Sequence, residues 1–398
     1  MGDTRSFDLL DGDWYVNDPY PDYAWLREHE PAHWDETNEL WGISRYDDIV
    51  EIEKRKDLFI SSDQEKGGYR PNIPADPAII GLDDPLHTER RMLVARRFTP
   101  RAVTAWDDHI TAVVDELVDA SLAKGRIELI ADLAGPLPAR MIGWLLGFPD
   151  EAWPRLMDWS SRSIVLGGGP RYMDEDGVAA VMDFAGACSE VYESHKIAPA
   201  DSVMGAWVEA EERGLDLQEV DLDRIVSDCL LLLDGGAETP RTVIGRTILT
   251  LIDQPDQWAL LKGGADLDIA VEEFIRYVTP VVNMCRVATA DHEIGGRTIK
   301  KGQQVVLMYP AANRDPAHFD DPEAFDVTRD PNNHLSFGFG THFCLGASLA
   351  RLEIKRMFEA LLERVDEFRL ADGGEIVEIP NSFVYGLARA DVDVIPAS

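Results

Sequence analysis

The 398-residue sequence predicts a mainly α protein with small β-sheets, an α+β arrangement organised as one domain over 1–398. Three observations predict it. Between Asp84 and Ile252 apolar residues recur mostly every third or fourth position, the spacing of buried helix faces. The longest such run, Asp221–Ile252, aligns Ile225, Cys229, Leu233, Ala237, Ile244, Ile248 and Leu251, about eight or nine helical turns. From Val281 onward the period changes, and short β-like runs appear at Val281–Val287, Gln303–Tyr309 and Ser382–Gly386. A minor β subdomain is expected from the N-terminal part together with segments 281–310 and 366–395.

The elements follow in order. Tyr23–Glu30 reads as a helix and Leu40–Ser44 as a short strand. DDPLHTERRMLVARRF (83–98) places Pro near a helix start, and Thr99-Pro100 opens the next helix. Ser160–Glu193 reads as two helices around the loop Gly167-Gly168-Gly169, and a Gly- and Phe-rich loop at 337–346 feeds a final helix to about Arg364. No internal repeat, low-complexity stretch or Ser/Gly linker divides the chain.

Charge excludes several classes of partner. The chain carries 38 Lys+Arg against 73 Asp+Glu, a net charge of −35. Nucleic acid and anionic membranes need clustered cations, so neither is an expected partner. Cys188, Cys229, Cys285 and Cys344 show no CxxC spacing, which argues against a disulfide framework or structural zinc and for a reducing cytoplasm. No apolar run approaches the roughly 20 residues of a membrane span. The acidic start MGDTRSFDLLDGDW is unlike a signal peptide, and Gly2 with Ser6 meets the bare myristoylation pattern as a short chance match.

One loop carries chemistry: Phe337-Gly338-Phe339-Gly340-Thr341-His342-Phe343-Cys344-Leu345-Gly346. Glycines let backbone N–H groups close around a thiolate at Cys344, Phe337, Phe343 and Leu345 exclude water, and the following helix start adds a positive dipole end that lowers a thiol pKa. A dry anionic sulfur is a strong axial donor for haem iron. Activation of Cys344 by His342 as a hydrolase nucleophile is the competing reading, but it lacks a third orienting group. A nucleotide loop would need the P-loop Lys-Ser/Thr, which is absent.

The loop resembles the cysteine-ligand loop of the cytochrome P-450 family, and the resemblance extends in order along the chain. It implies that family's fold, a triangular helix-rich domain holding haem b between the long central helix and the Cys loop, with Cys344 as axial thiolate and Phe337, Gly338 and Gly346 around it. Glu273-x-x-Arg276 with Arg329 matches the family's ion-pair triad. His87 and Arg91, four apart on one helix face, match its propionate pair, and Arg286 and His342 match two further propionate partners. Leu233-Asp234-Gly235-Gly236-Ala237-Glu238-Thr239-Pro240 resembles its oxygen-binding groove, placing Gly235 and Gly236 beside dioxygen, Thr239 in hydrogen bonding to it and Glu238 in a proton relay. Gly-Gly inside a helix costs about 1 kcal/mol per Gly relative to Ala, so a reason beyond helix formation is expected. Pro240, where the family more often has Thr or Ser, frees the Gly236 carbonyl and is expected to fix a kink.

The function implied is a haem-thiolate monooxygenase, soluble and cytoplasmic, that takes electrons from NAD(P)H through a ferredoxin reductase and a ferredoxin. Leu233, Val281, Val282, Met284, Phe383 and Val384 are the expected substrate pocket, with 59–83 and the helices around Gly167–Gly169 as a lid. GGYRPNIPAD (67–76) and PVVNMCRVATAD (280–291) look like actinobacterial sterol and steroid side-chain hydroxylases. Fatty acids, terpenoids, macrolide-like products and a peroxide-driven peroxygenase are the alternatives. A −35 chain should repel an acidic ferredoxin, yet Arg90, Arg91, Arg96, Arg97 and Arg101 crowd 88–101 against Glu89 alone. With Arg91 turned to haem, the other four, together with Arg351, Lys355 and Arg356, form the expected docking face.

Overall fold

The computed structural model describes residues 5–74, 77–198, 200–214 and 222–397. Gly2, Ala75, Asp76 and the acidic Asp216, Glu219 and Asp221 lie outside these ranges. Seven helices position the site: α1 (Tyr46–Lys54), α2 (Leu86–Ala95), α3 (Trp153–Ser163), α4 (Glu175–Ile197), α5 (Leu222–Asp253), α6 (Leu267–Val278) and α7 (Ala347–Arg364). The labelled strands are β1 (Ala32–Asp35), β2 (Leu40–Ile43), β3 (Phe59–Ile60), β4 (Arg126–Glu128), β5 (Asn283–Ala288), β6 (Gln304–Met308), β7 (Val365–Leu370), β8 (Ile376–Glu378) and β9 (Leu387–Pro396).

The helical periodicity is borne out. α5 is 32 residues long, roughly 48 Å at 1.5 Å per residue, and continues through Pro240. The expected helix pair around Gly167–Gly169 is α3 and α4, joined by two short 3-10 turns. Most of the buried apolar residues form one core among α2–α7, with Ile225, Cys229, Leu233, Ala237, Ile244, Ile248 and Leu251 all in it.

The β elements differ from expectation. The N-terminal and 281–310 segments do share a sheet, ordered β1-β2-β6-β5-β3, with β2 and β6 parallel and the other pairs antiparallel. The C-terminal segment belongs to a different sheet, in which β9 pairs with β4, β7 and β8. Ser382–Gly386 is not a strand: only the bridge Val281–Val384 forms there. Asn381 explains this, since its side chain accepts from the Phe383 N–H at 2.8 Å and folds the segment into a turn. β6 is buried on both faces, Val305 and Leu307 in one apolar cluster and Val306 and Met308 in another.

One charge cluster ties these parts together. Glu273 and Arg276 of α6 are both fully buried and bonded through two N–H···O contacts of 2.7 and 2.8 Å. Glu273 also accepts from Arg329 Nε (3.2 Å), Asn332 Nδ2 (3.0 Å) and the Asp326 N–H (2.8 Å). Arg276 donates onward to the carbonyls of Asn313, Pro322 and Ala324. The expected triad is thus assembled, with Asn332 as a member that the sequence pattern did not reveal. Breaking a buried pair strands a charge and costs about 3–5 kcal/mol. Glu273→Ala is expected to lower the unfolding free energy by that order, with a lower denaturant midpoint, and to yield mostly haem-free or unfolded protein. Purified variant with normal haem content and midpoint would contradict this.

Candidate active site

The Cys loop is built from the triad outward. Asn313, whose carbonyl accepts from Arg276, accepts the Leu335 N–H at 2.7 Å and donates to Thr279 and Ser336 hydroxyls at 2.8 Å. From there Gly338 N donates to Leu335 O (2.8 Å) and Cys344 N to Phe337 O (2.9 Å), closing the loop on itself. Gly340 has φ +69°, and a Cβ there would meet the Glu53 carbonyl at 2.8 Å, so both conformation and space demand glycine.

Phe337, Gly338, His342, Cys344, Leu345 and Gly346 all face one cavity. Phe343 does not: it is 41% exposed, so water exclusion rests on Phe337 and Leu345. The Gly346 and Ala347 N–H groups and the charges of Arg91 and Arg351 favour a thiolate at Cys344, but burial outweighs them and pushes the thiol above its ordinary value. The helix start does lower the thiol as expected, but by less than burial raises it.

Across the cavity runs α5. Gly235 has open space where a Cβ would be, whereas a Cβ at Gly236 would meet Ile142 at 2.9 Å. One glycine leaves room and the other permits close helix packing. Thr239 lines the cavity, and its hydroxyl donates to Gly235 O at 2.7 Å. Glu238 is off the cavity wall. It is buried, ion-paired with Arg241, and accepts from Ser160 Oγ of α3 at 2.7 Å. Its neighbour Asp234 does line the cavity and accepts from Ser163 Oγ at 2.6 Å. α5 continues unbroken through Pro240, and the Gly236 carbonyl has no N–H four residues on to accept from.

At the cavity's polar end the four expected propionate partners come together. His87, Arg91, Arg286 and His342 line it, and the rings of His87 and His342 lie 4.3 Å apart. Neither ring nitrogen of His87 has a hydrogen-bond partner although both are buried. Burial, then Arg91, lowers His87 to about 4, and burial with Arg286 holds His342 well below the usual histidine value. Arg286 donates to Cys285 O at 2.6 Å and approaches Glu53 at 3.4 Å. Glu53 is a cavity residue that the sequence reading missed, though a carboxylate beside Ile49 and Ile52 on the buried face of α1 was a usable signal. Glu353, buried on α7 and pushed well above the carboxylate range, is another.

The space between these walls, its mouth included, is about 1680 Å³. Cys344, the arginines Arg70, Arg91 and Arg286, His87 with both ring nitrogens unpartnered, and the open Gly235 line one cavity, and together they fit a haem with its two carboxylates.

The apolar wall corrects the expected pocket. Val281, Met284 and Phe383 line the cavity, whereas Leu233, Val282 and Val384 do not. Leu233 is buried in the helical core, and Leu231 and Leu232 take its place, Leu231 lying one turn before Gly235 on the same face. Val282 and Val384 are held by the turn at Asn381 and its bridge. Ile79, Ile80 and Ile164 complete the wall, supplied by the two expected lid regions. Ser382 Oγ donates to Gly168 O at 2.8 Å, and a Cβ on Gly167 would strike Phe383, so that lid loop sits against the pocket turn.

The expected docking residues fare unevenly. Arg90 is removed from that face: it is buried, pairs with Asp228 at 2.9 Å and donates to the Pro77 and Arg224 carbonyls, tying α2 to α5. Arg97 is 7% exposed and pairs with Asp201. Arg351 is bidentate on Glu272 and lies over Phe337, Lys355 pairs with Asp268, and Arg356 pairs with Asp107 and Glu359. Arg96 keeps 58% exposure beside Glu209, and Arg101 is exposed with no ion pair among the described residues.

Comparison with known proteins agrees with this geometry. The family model described as cytochrome P-450 matches residues 266–390. A steroid C26-monooxygenase of Mycobacterium tuberculosis is 36% identical over 405 residues, covering 100% of this chain and 99% of its own length. A linalool 8-monooxygenase of Pseudomonas putida is 32% identical, with 98% and 99% coverage. The crystal structure of CYP109E1 from Bacillus megaterium in complex with testosterone superposes with a TM-score of 0.86 at 31% identity, covering 96% of this chain and 99% of that one. Full-length similarity, matching fold and a cysteine loop facing the cavity together place the chain in the cytochrome P-450 family, as a monooxygenase that binds haem.

Proposed function

We propose that this monooxygenase inserts one oxygen atom of dioxygen into a C–H bond of a steroid- or sterol-like substrate, with Cys344 as the axial haem ligand. The observation that carries the reading is the apolar wall of Ile79, Ile80, Ile164, Leu231, Val281, Met284 and Phe383, which leads to Thr239 and Cys344 in one cavity. The steroid activity named for the mycobacterial relative and the testosterone bound to the Bacillus neighbour support the same substrate class. Walls drawn from residues 53 to 383 support treating 1–398 as one catalytic unit.

Bound haem supplies the activation of dioxygen, which no side chain provides. The chain supplies placement, dryness and protons. Cys344, with the Gly346 and Ala347 N–H groups on its sulfur, would hold the haem iron as an electron-rich thiolate. Thr239 is the alcohol on the opposite wall, and the Gly236 carbonyl left without a helical partner by Pro240 is an acceptor for a proton-carrying water beside it. Glu238 works at one remove as a positioning residue, since Arg241 and Ser160 turn its carboxylate away from the cavity.

Titration of the holoenzyme with a steroid, a fatty acid and a terpene tests the substrate class through the low- to high-spin shift. The steroid is expected to produce it, and Leu231→Phe, which overpacks the wall by about 1–3 kcal/mol, is expected to weaken steroid binding roughly five- to hundredfold. A shift with only the terpene or the fatty acid would replace the steroid reading. Turnover driven by peroxide alone would replace dioxygen.

Electron supply by a ferredoxin and its reductase, in the cytoplasm, belongs to the same proposal. No helix among the described residues is long and apolar enough to cross a membrane. Of the expected docking arginines, Arg96 and Arg101 remain exposed for an acidic partner. Arg96→Glu and Arg101→Glu are each expected to slow reduction several-fold at low salt and little at high salt, because exposed charges act mainly on association rate. Reduction rates indifferent to both substitutions and to salt would remove the docking face.

A further inference from the structure

Glu53 is a carboxylic acid built into the wall of the haem cavity. Its side chain is 1% exposed. Oε1 accepts from the Tyr309 hydroxyl at 3.0 Å and lies 3.4 Å from Arg286, while Oε2 is buried with no hydrogen-bond partner. The Cys loop is packed directly on it: the Phe339 N–H faces its carboxylate and favours the ionised form, and a Cβ at Gly338 would lie 3.5 Å from Oε1. Glu53 lines the same cavity as His87, Arg91, Arg286 and His342.

The surroundings favour a neutral Glu53. Arg286 on β5 and Tyr309 after β6 bond it, and the other titratable groups lining the cavity are Arg70, His87 and Arg91, Asp234 of α5, His342 and Cys344 of the Cys loop, and Glu353 of α7. Burial raises Glu53 to about 7 against the opposing pull of Arg286, Tyr309 and the Phe339 N–H, and leaves both histidines neutral at that pH. Arg70, Arg91 and Arg286 are the arginines lining the cavity, and Arg286 lies within hydrogen-bond distance of Glu53. An ionised Glu53 would add a buried negative charge and compete for the arginine that also faces the haem carboxylates. Haem itself, by adding negative charge and excluding water, pushes Glu53 further towards its acid form.

We propose that Glu53 is a haem-binding residue that works as a neutral acid: its Oε2 hydroxyl donates to the propionate that Arg286 also holds. When Glu53 releases its proton to solvent, that donor becomes an acceptor, competes for Arg286 and repels the propionate. Haem is thus held tightly at low pH and more weakly above the Glu53 transition. The proposal rests on the haem reading of this cavity.

The test uses the holoenzyme, its Glu53→Gln variant and its Tyr309→Phe variant, with haem transfer to an excess of apomyoglobin and the ferric/ferrous midpoint potential followed from pH 6 to pH 9. In the wild type, transfer is expected to accelerate about tenfold with rising pH, the size of one lost charge-assisted hydrogen bond. The midpoint falls over the same range, because an added negative charge favours ferric iron. Glu53→Gln keeps a donor and has no proton to lose, so both profiles flatten. Tyr309→Phe removes a donor that favours the carboxylate, so the transition moves to higher pH. A wild-type profile in Glu53→Gln overturns the proposal. If that variant loads no haem, a Tyr309→Phe transition that stays in place overturns it instead. A reduced carbon-monoxide spectrum without thiolate ligation would defeat the haem reading, a separate outcome from a normal spectrum with the wrong pH profile.

Discussion

The cavity depends on the neutralisation of one buried carboxylate. Glu273 has five donors from α6 and the 326–332 segment, and Arg276 spends its remaining N–H groups on three carbonyls between 313 and 324. Neither residue touches the cavity. Their bonds fix the path of the chain to Asn313 and Ser336, and those two residues hold the segment that becomes the Cys loop. Buried ion pairs are weak sources of net stability, because desolvation offsets their attraction. What this one confers is position: the loop cannot drift without stranding a charge.

The same tension between burial and charge recurs through the site. Burial drives the Cys344 thiol up, the two histidines down and Glu53 up. Each shift favours the neutral form, so the protein alone presents these four groups uncharged beside three arginines, Arg70, Arg91 and Arg286. A haem, with a cationic iron for the sulfur and carboxylates for the arginines, matches that imbalance. Catalytic polarity is kept equally local. Glu238 is paired with Arg241 and held by Ser160 of α3, which leaves Asp234 and Thr239 as the polar side chains of α5 on the cavity wall.

Much of this was legible in the sequence because the governing signals are local. The 3.6 period marked α5, the Gly-rich loop marked Cys344, and the order of ExxR, Arg329 and Cys loop marked the family. What was missed depends on tertiary neighbours. Leu233 and Leu231 are equally apolar, and only the orientation of α5 assigns one to the core and the other to the cavity. Arg90 and Arg101 are equally cationic, and only Asp228 behind α2 makes the first a buried strut. Ser382–Gly386 has strand-like composition, but the Asn381 side chain bonds the following backbone and turns it. Glu53 and Glu353 were the readable exceptions, charges placed on otherwise apolar helix faces.

The central claim is that Cys344 binds haem iron as a thiolate inside this cavity. The reduced carbon-monoxide spectrum of the purified protein tests it most directly. The account predicts a red protein with the strongly red-shifted Soret band of thiolate ligation, and loss of that band in Cys344→Ala. A colourless protein, or a Soret band of the histidine-ligated type, would contradict it.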